Sequence, residues 1–140
     1  MLDLTDDAAY VNMGSNWRMP TDEDIMELLM NTTQTWIDLQ GNEFTENDVL
    51  VSKINKYNLK GVKFTGANGN SILIPASGSS EIGPGILYNI YNRGCLWGST
   101  VYDGGMTTGL DSAALNITLN SCYFYQALRI ECNPVRGVTQ

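Results

Sequence analysis

The sequence predicts a single α+β domain over residues 1–140, built from short helices and antiparallel strands. Three observations point to this class. The chain has 140 residues, a length typical of one domain. Only 16% of its residues are charged and 14 are glycine, which suits a loop-rich β or α+β protein better than a helical bundle. Its apolar residues follow a helical period near the start and a two-residue period further along.

Charge and histidine content exclude several classes of function. The formal charge is −7 and the isoelectric point is near 4.3. The 8 basic residues are scattered, whereas phosphate binding needs them clustered, so nucleic acid and anionic membrane surfaces are disfavoured as partners. The absence of histidine removes Ser-His-Asp and Cys-His nucleophiles and His-ligated zinc. We therefore expect no cofactor, no metal and no catalytic residues.

The spacing of the three cysteines gives no indication of a catalytic site. Cys95, Cys122 and Cys132 lack CxxC spacing, so we expect small buried side chains, with a Cys122–Cys132 disulfide left open.

No segment has the ~18 apolar residues of a membrane span, so no membrane insertion is expected. The opening residues MLDLTDDAAY lack the basic and apolar regions of a signal peptide. This leaves open that the domain is the C-terminal part of a longer exported chain.

A helix is predicted over residues 21–30. Thr21 follows Pro20 and precedes Asp24 by three residues, which is close to a capping box. Acidic residues at the positive end of the helix dipole favour the same start: Asp22, Glu23 and Asp24. The apolar stripe consists of Ile25, Leu28 and Leu29, extended by Met26 or Met30. For the preceding pair we favour structural roles, with Trp17 packed in the core and Arg18 paired with a carboxylate.

Strands are predicted after this helix. Residues 35–37 indicate a short strand with a turn at Gly41 and Asn42, and residues 45–58 an inserted loop with a turn or two of helix. A hairpin follows, in which Val62 and Phe64 alternate with polar residues before a turn at residues 68–69. Residues 72–74 form its return strand, and Pro75 ends it. Residues 113–138 predict two or three more strands.

A segment rich in Tyr, Asn and Gly, residues 85–127, is the candidate binding surface. Tyr offers a large amphipathic area at low entropy cost and Asn adds adaptable hydrogen bonds. In CYFYQ, strand alternation sends Tyr123 and Tyr125 to one face and Phe124 to the core. Half-buried sheet aromatics are the alternative explanation, and Trp97 is expected to be a buried anchor. The predicted ligand-binding residues are Tyr88, Tyr91, Asn92, Tyr102, Asp103, Tyr123 and Tyr125.

The order of several motifs resembles a known family. The motifs are GSNWRMPT, an acidic helix, a Trp, GVKFTGANGNSILIPASG, GCLWGSTVYD and PVRGV. They resemble bacterial and phage domains of the C-type-lectin-like fold, in its formylglycine-generating-enzyme-like branch, which are abundant in gut Bacteroidetes and their phages. The resemblance covers residues 6–138.

This resemblance implies a compact α+β fold whose termini lie close together and whose long irregular second half displays a binding face. Some relatives are variable proteins of diversity-generating retroelements, in which a C-terminal region is mutagenised at adenines to diversify ligand binding. The Tyr/Asn-rich segment lies in a similar position. The implied function is a non-catalytic module for adhesion or receptor recognition, binding a protein or glycan. Its implied location is extracellular, on a cell surface or on a virion such as a phage tail.

The chain also departs from the family pattern. Its last strand reads RIECNPVR, where relatives have a pattern like G-x-S-V-R-P-V-R. Neither the calcium-and-sugar triplets of true C-type lectins nor the paired cysteines of formylglycine-generating enzymes have a counterpart. Two alternatives stay open. An oxidase of the formylglycine-generating type would need two poised cysteines, and a structural pilus or tail subunit would bury its Tyr-rich surface in an oligomer.

Overall fold

A computed structural model describes residues 2–50, 53–80, 86–102, 111–129, 131 and 133–139. The helices in it are α1 (Ala8–Met13), α2 (Asp22–Asn31) and α3 (Glu46–Leu50). The strands are β1 (Trp17–Arg18), β2 (Thr32–Asp38), β3 (Glu43–Phe44), β4 (Leu59–Gly66), β5 (Ser71–Pro75), β6 (Arg93–Tyr102), β7 (Asp111–Thr118), β8 (Cys122–Leu128) and β9 (Val138–Thr139).

The strands form three antiparallel sheets, which confirms the α+β class with short helices. A four-stranded sheet has the order β3-β2-β4-β5, and a three-stranded sheet has the order β6-β7-β8. Strands β1 and β9 form a two-stranded sheet in which Trp17 lies opposite Thr139. Segments from the two ends of the described chain are therefore paired with each other.

Helix α2 begins as predicted. The Thr21 hydroxyl accepts from the Asp24 amide, and the Asp24 carboxylate accepts from the Thr21 amide, which completes a capping box. Arg18 pairs with Asp24, as expected. Ile25 is buried, and Leu28 and Leu29 pack against the core.

The predicted extension of the apolar stripe by Met26 or Met30 is wrong, because these side chains are 41% and 76% exposed. They follow Ile25 and Leu29 by one position, a rotation of about 100° that turns them towards solvent. Trp17 is half-buried in β1 and so only partly meets the expectation of a core residue.

The first half of the chain largely follows the sequence predictions. Strand β2 is longer than the predicted residues 35–37, and it buries Trp36. The loop at residues 45–58 contains α3, whose Val49 is fully buried. The hairpin is confirmed, with Val62 opposite Ile74 and a turn in which Gly69 has φ +80°.

The expectation of a long irregular second half is wrong for its described part. Residues 93–102, 111–118 and 122–128 form the β6-β7-β8 sheet. Gly94 and Gly98 lie inside β6, at points where other parts of the chain approach the strand closely. A Cβ at Gly94 would lie 2.4 Å from the Pro75 carbonyl oxygen, and one at Gly98 would lie 2.9 Å from the Ala113 Cβ.

The core lies between the two larger sheets and α2. One face of β6-β7-β8 contributes Leu96, Leu115 and Ile117 to it, together with the half-buried Phe124. The Trp36 indole N–H donates to the Thr118 carbonyl at 2.9 Å, which joins the four-stranded sheet to the three-stranded one. The opposite face of β6-β7-β8 is turned away from this core and holds the candidate site.

Candidate ligand-binding face

The register of β6-β7-β8 gathers polar and aromatic side chains on one face. Cys95 lies opposite Asn116, which lies opposite Tyr123, and Tyr125 follows two positions later on β8. Because side chains alternate along a strand, Phe124 points to the core. The predicted separation of Tyr123 and Tyr125 from Phe124 is thus confirmed. We call the side of the sheet that carries Arg93, Cys95, Asn116, Tyr123 and Tyr125 the outer face; of these five side chains Tyr123 is exposed, Arg93 and Tyr125 are half-buried, and Cys95 and Asn116 are buried.

Hydrogen bonds tie the outer face into one network. Arg93 donates from Nε to Asn116 Oδ1 at 2.7 Å and from its terminal nitrogen to the Tyr125 hydroxyl oxygen at 3.0 Å. The Tyr125 hydroxyl donates to Glu131 Oε2 at 3.2 Å, and the Asn116 amide donates to the Tyr123 hydroxyl. The network fixes the two tyrosines and the guanidinium relative to one another.

The two tyrosines differ in what they expose. Tyr123 is 43% exposed, whereas Tyr125 beside it is half-buried, with ring centroids 6.2 Å apart and planes at 67°. The Arg93 guanidinium lies 5.6 Å from the Tyr125 ring centroid, a cation–π distance. Tyr123 is therefore the accessible aromatic side chain of this face. Tyr125 packs beside it, with the Arg93 guanidinium near the Tyr125 ring.

The cysteine on this face is poorly suited to act as a nucleophile. Cys95 is 1% exposed, and burial raises the pKa of its thiol, although Arg93 opposes the change. Cys122 lies on the core-facing side, opposite Ile117, and burial raises the pKa of its thiol to about 12. Neither thiol forms a disulfide with a described residue, and the two lie on opposite faces of the sheet. Cys132 lies outside the described residues, and so does the possible Cys122–Cys132 disulfide.

Two more of the predicted tyrosines lie in the turn that leads into β6. Tyr88 and Tyr91 are 43% and 48% exposed, and Asn92 is half-buried. Asn89 and Tyr91 both have φ +59°, an uncommon conformation outside glycine that is tolerated in tight turns. The Asn89 carbonyl accepts from the amides of Asn92 and Arg93, so this turn ends where the outer face begins.

Tyr102 is placed apart from the other predicted residues. It lies opposite Asp111 on the core-facing side of the sheet, and its hydroxyl donates to Asp22 Oδ2 at 2.6 Å. Its ring makes an edge contact with Phe124, with centroids 6.3 Å apart. Burial and the Asp22 carboxylate raise the pKa of Tyr102 to about 12. The structure thus does not bring Tyr102 to the outer face, and Asp103 lies outside the described residues.

Residues that the sequence reasoning missed are Arg93, Asn116 and Glu131. A signal for Asn116 is present in the run AALNIT, where one amide interrupts apolar residues, because a buried polar side chain needs partners. Arg93 could have been predicted because it lies two positions before Cys95, and side chains two positions apart in a strand lie on the same face. Trp97 is half-buried and not the fully buried anchor that we expected.

Among the described residues, no three acidic or cysteine side chains gather in a way that could hold a metal ion. No helix in the described part of the chain has the length and apolar character required to cross a membrane. Comparisons of the chain with protein-family models, curated proteins and solved structures find no match.

Proposed function

We propose that this protein is a non-catalytic binding module that recognises a protein or glycan through its outer face. The observation that carries the proposal is the accessible ring of Tyr123, which is bonded to Asn116 and makes an edge contact with Tyr125, the ring whose hydroxyl binds Arg93. The exposed Tyr88 and Tyr91, in the turn before β6, extend the candidate surface.

The chemistry of this face suits recognition. A Tyr ring presents an apolar surface to a sugar ring or a peptide, and its hydroxyl supplies a hydrogen bond at the edge. Tyr and Arg are also the residue types enriched among those that dominate binding energy at interfaces. Because Asn116 and Tyr125 already hold Arg93, binding orders few additional side chains, which reduces the entropic cost of association.

The finer version of the proposal is a C-type-lectin-like domain that acts as a diversity-generating-retroelement variable protein, on a phage tail or a cell surface. The antiparallel sheets with short helices and the pairing of β1 with β9 support it, because the resembling family implies both features. The exposed, Tyr-rich turn before β6 supports it as a tolerant position for variation.

The alternative of a formylglycine-generating-type oxidase is less well supported by the described cysteines. Such an enzyme needs two thiols poised together, whereas Cys95 and Cys122 lie on opposite faces of one sheet. Burial also keeps both thiols protonated at neutral pH, and thiolates are the reactive form.

Sequencing the locus across a bacterial or phage population tests the diversified version. We expect substitutions confined to adenine positions and concentrated in codons for residues 85–132, with the outer-face Tyr123 and Tyr125 changed more often than the core-facing Leu115. A nearby reverse transcriptase should accompany this pattern. Changes scattered uniformly over the gene, without such a neighbour, would refute diversification but not binding through the outer face, which variants of Tyr123 test separately.

A further inference from the structure

A cleft of about 350 Å³ lies on the core-facing side of β6-β7-β8, opposite the outer face. Its interior is apolar and is lined by side chains from α2, β5, β6 and β7. These are Ile25, Leu28, Ile72, Ile74, Leu96 and Leu115. Ile25, Ile74 and Leu115 are buried, whereas Leu28 and Ile72 are half-buried, so the cleft has a closed base and an accessible mouth. Its volume is at the small end of the ~300–1,000 Å³ range of ligand pockets.

Two opposite charges stand at the mouth. Glu27 from α2 and Arg136 from the segment before β9 both line the cleft, and both are exposed. Neither forms an ion pair within the part of the chain that the structure describes. Asp24 also lines the cleft, but its charge is matched by Arg18, so the mouth is left with one cation and one anion.

This charge pattern selects among apolar ligands. A simple carboxylic acid would be attracted by Arg136 and repelled by Glu27, whereas an amine would meet the reverse. A molecule with both charges satisfies both groups, and its apolar body fills the interior. Free hydrophobic amino acids have this combination of features at the size that the cleft allows.

We propose that the cleft binds a free hydrophobic L-amino acid, with its carboxylate at Arg136, its ammonium group at Glu27 and its side chain among Ile25, Leu28 and Leu115. This site is separate from the proposed recognition function, because it lies on the opposite side of the sheet. The failure of one proposal therefore leaves the other standing.

The test is a titration of the methyl-labelled protein, followed by NMR. The probes are L-phenylalanine, N-acetyl-L-phenylalanine, which lacks the ammonium charge, and L-phenylalanine amide, which lacks the carboxylate. We expect L-phenylalanine to shift the methyl signals of Ile25, Leu28 and Leu115, and each blocked probe to bind about tenfold more weakly, as the loss of a charge-assisted contact predicts.

Exposed variants identify the two charged partners without disturbing the fold. Arg136→Gln should weaken L-phenylalanine binding about tenfold, with Lys60→Gln, at an exposed cation on β4, as the control. Glu27→Gln should do the same, with Glu23→Gln on the same helix as its control. No methyl shift with L-phenylalanine at millimolar concentration would overturn the proposal, and equal binding of all three probes would overturn the assigned roles of Arg136 and Glu27.

Discussion

Asp22 links the start of α2 to a strand far away in sequence. Its carboxylate accepts hydrogen bonds from the Tyr102 hydroxyl at 2.6 Å and from the Thr100 hydroxyl at 2.8 Å. These bonds, with that of Tyr102 the largest, lower the pKa of Asp22 from 3.8 to about 2. The acidic residues of this helix start are predictable from the helix dipole, but a partner about 80 residues away along the chain leaves no local pattern.

Tyr102→Phe should therefore destabilise the protein in a pH-dependent way. The pKa of Asp22 in the fold lies below its unfolded value, so its ionised form stabilises the fold above pH 3.8, and this contribution is lost as the pH falls towards about 2. Because Asp22 is partly exposed, we expect a loss of only about 1 kcal/mol in the free energy of unfolding at pH 7. Urea denaturation of both proteins at several pH values measures it.

The control for this prediction is Tyr57→Phe, which alters an exposed tyrosine and should leave the free energy of unfolding almost unchanged. The difference between wild type and Tyr102→Phe should shrink as Asp22 becomes protonated. A difference that stays constant from pH 7 down to pH 2 would show that the Asp22 carboxylate is not the group that Tyr102 stabilises.

At the scale of elements, strand β6 shows how close packing overrides composition. Its free edge is covered by other chain segments, since the amide of Gly78 donates to the Arg93 carbonyl and the amide of Trp97 donates to the Pro134 carbonyl. Such close approach requires glycine at position 94, because a Cβ there would meet the Pro75 carbonyl oxygen. The hairpin of β4 and β5 was predictable because its turn at residues 68–69 and its alternating pattern are both local.

Gly94→Ala tests the packing around β6. The added methyl group would meet the Pro75 carbonyl oxygen at 2.4 Å and Ile117 Cγ1 at 2.7 Å. Either the β6 backbone or the neighbouring Pro75 and Ile117 must therefore move. We expect a loss of at least about 2 kcal/mol in the free energy of unfolding, measured by urea denaturation.

Gly66→Ala is the matched control, because the nearest atom to its added methyl group belongs to the exposed side chain of Asn68, at 3.2 Å. That side chain can move, so the loss should stay below about 1 kcal/mol. Equal losses for the two variants would mean that β6 is not held closely against its neighbours.

At the scale of the whole molecule, Trp36 joins the two larger sheets. Its ring is buried in the common core, and its indole N–H reaches the Thr118 carbonyl at the end of β7. The sequence alone indicates that Trp36 belongs to a strand, because aromatic and β-branched neighbours surround it. The contact partner across the core depends on how two sheets pack, which no short stretch of sequence specifies.

Trp36→Phe should weaken the fold as one unit. The change removes the hydrogen bond to Thr118 and leaves space in the buried core cluster, so we expect a loss of about 2 kcal/mol in the free energy of unfolding. Circular dichroism during urea unfolding should show a single transition at lower urea. Trp17→Phe, at a half-buried position, serves as the control and should cost less; a larger loss there would place the main anchor in the β1-β9 sheet instead.

The candidate site was predictable only in part. Strand alternation was enough to place Tyr123 and Tyr125 on one side and Phe124 on the other. The same residue type misleads at Tyr102, which lies an odd number of positions after Cys95 and therefore on the core-facing side of β6, beside Asp22. Arg93 and Asn116 join the site through pairing between strands, which becomes visible only once the sheet is assembled.

The most direct test of the central claim is binding by variants of the outer face. Wild type, Tyr123→Ala and Tyr57→Ala would be applied side by side to arrays of glycans and of cell-surface proteins, and the affinity for any captured ligand then measured by calorimetry. We predict that Tyr123→Ala loses at least about tenfold in affinity, whereas Tyr57→Ala, at an exposed tyrosine in the segment before β4, binds like wild type. Unchanged affinity of Tyr123→Ala for a ligand that wild type binds would contradict recognition through the outer face.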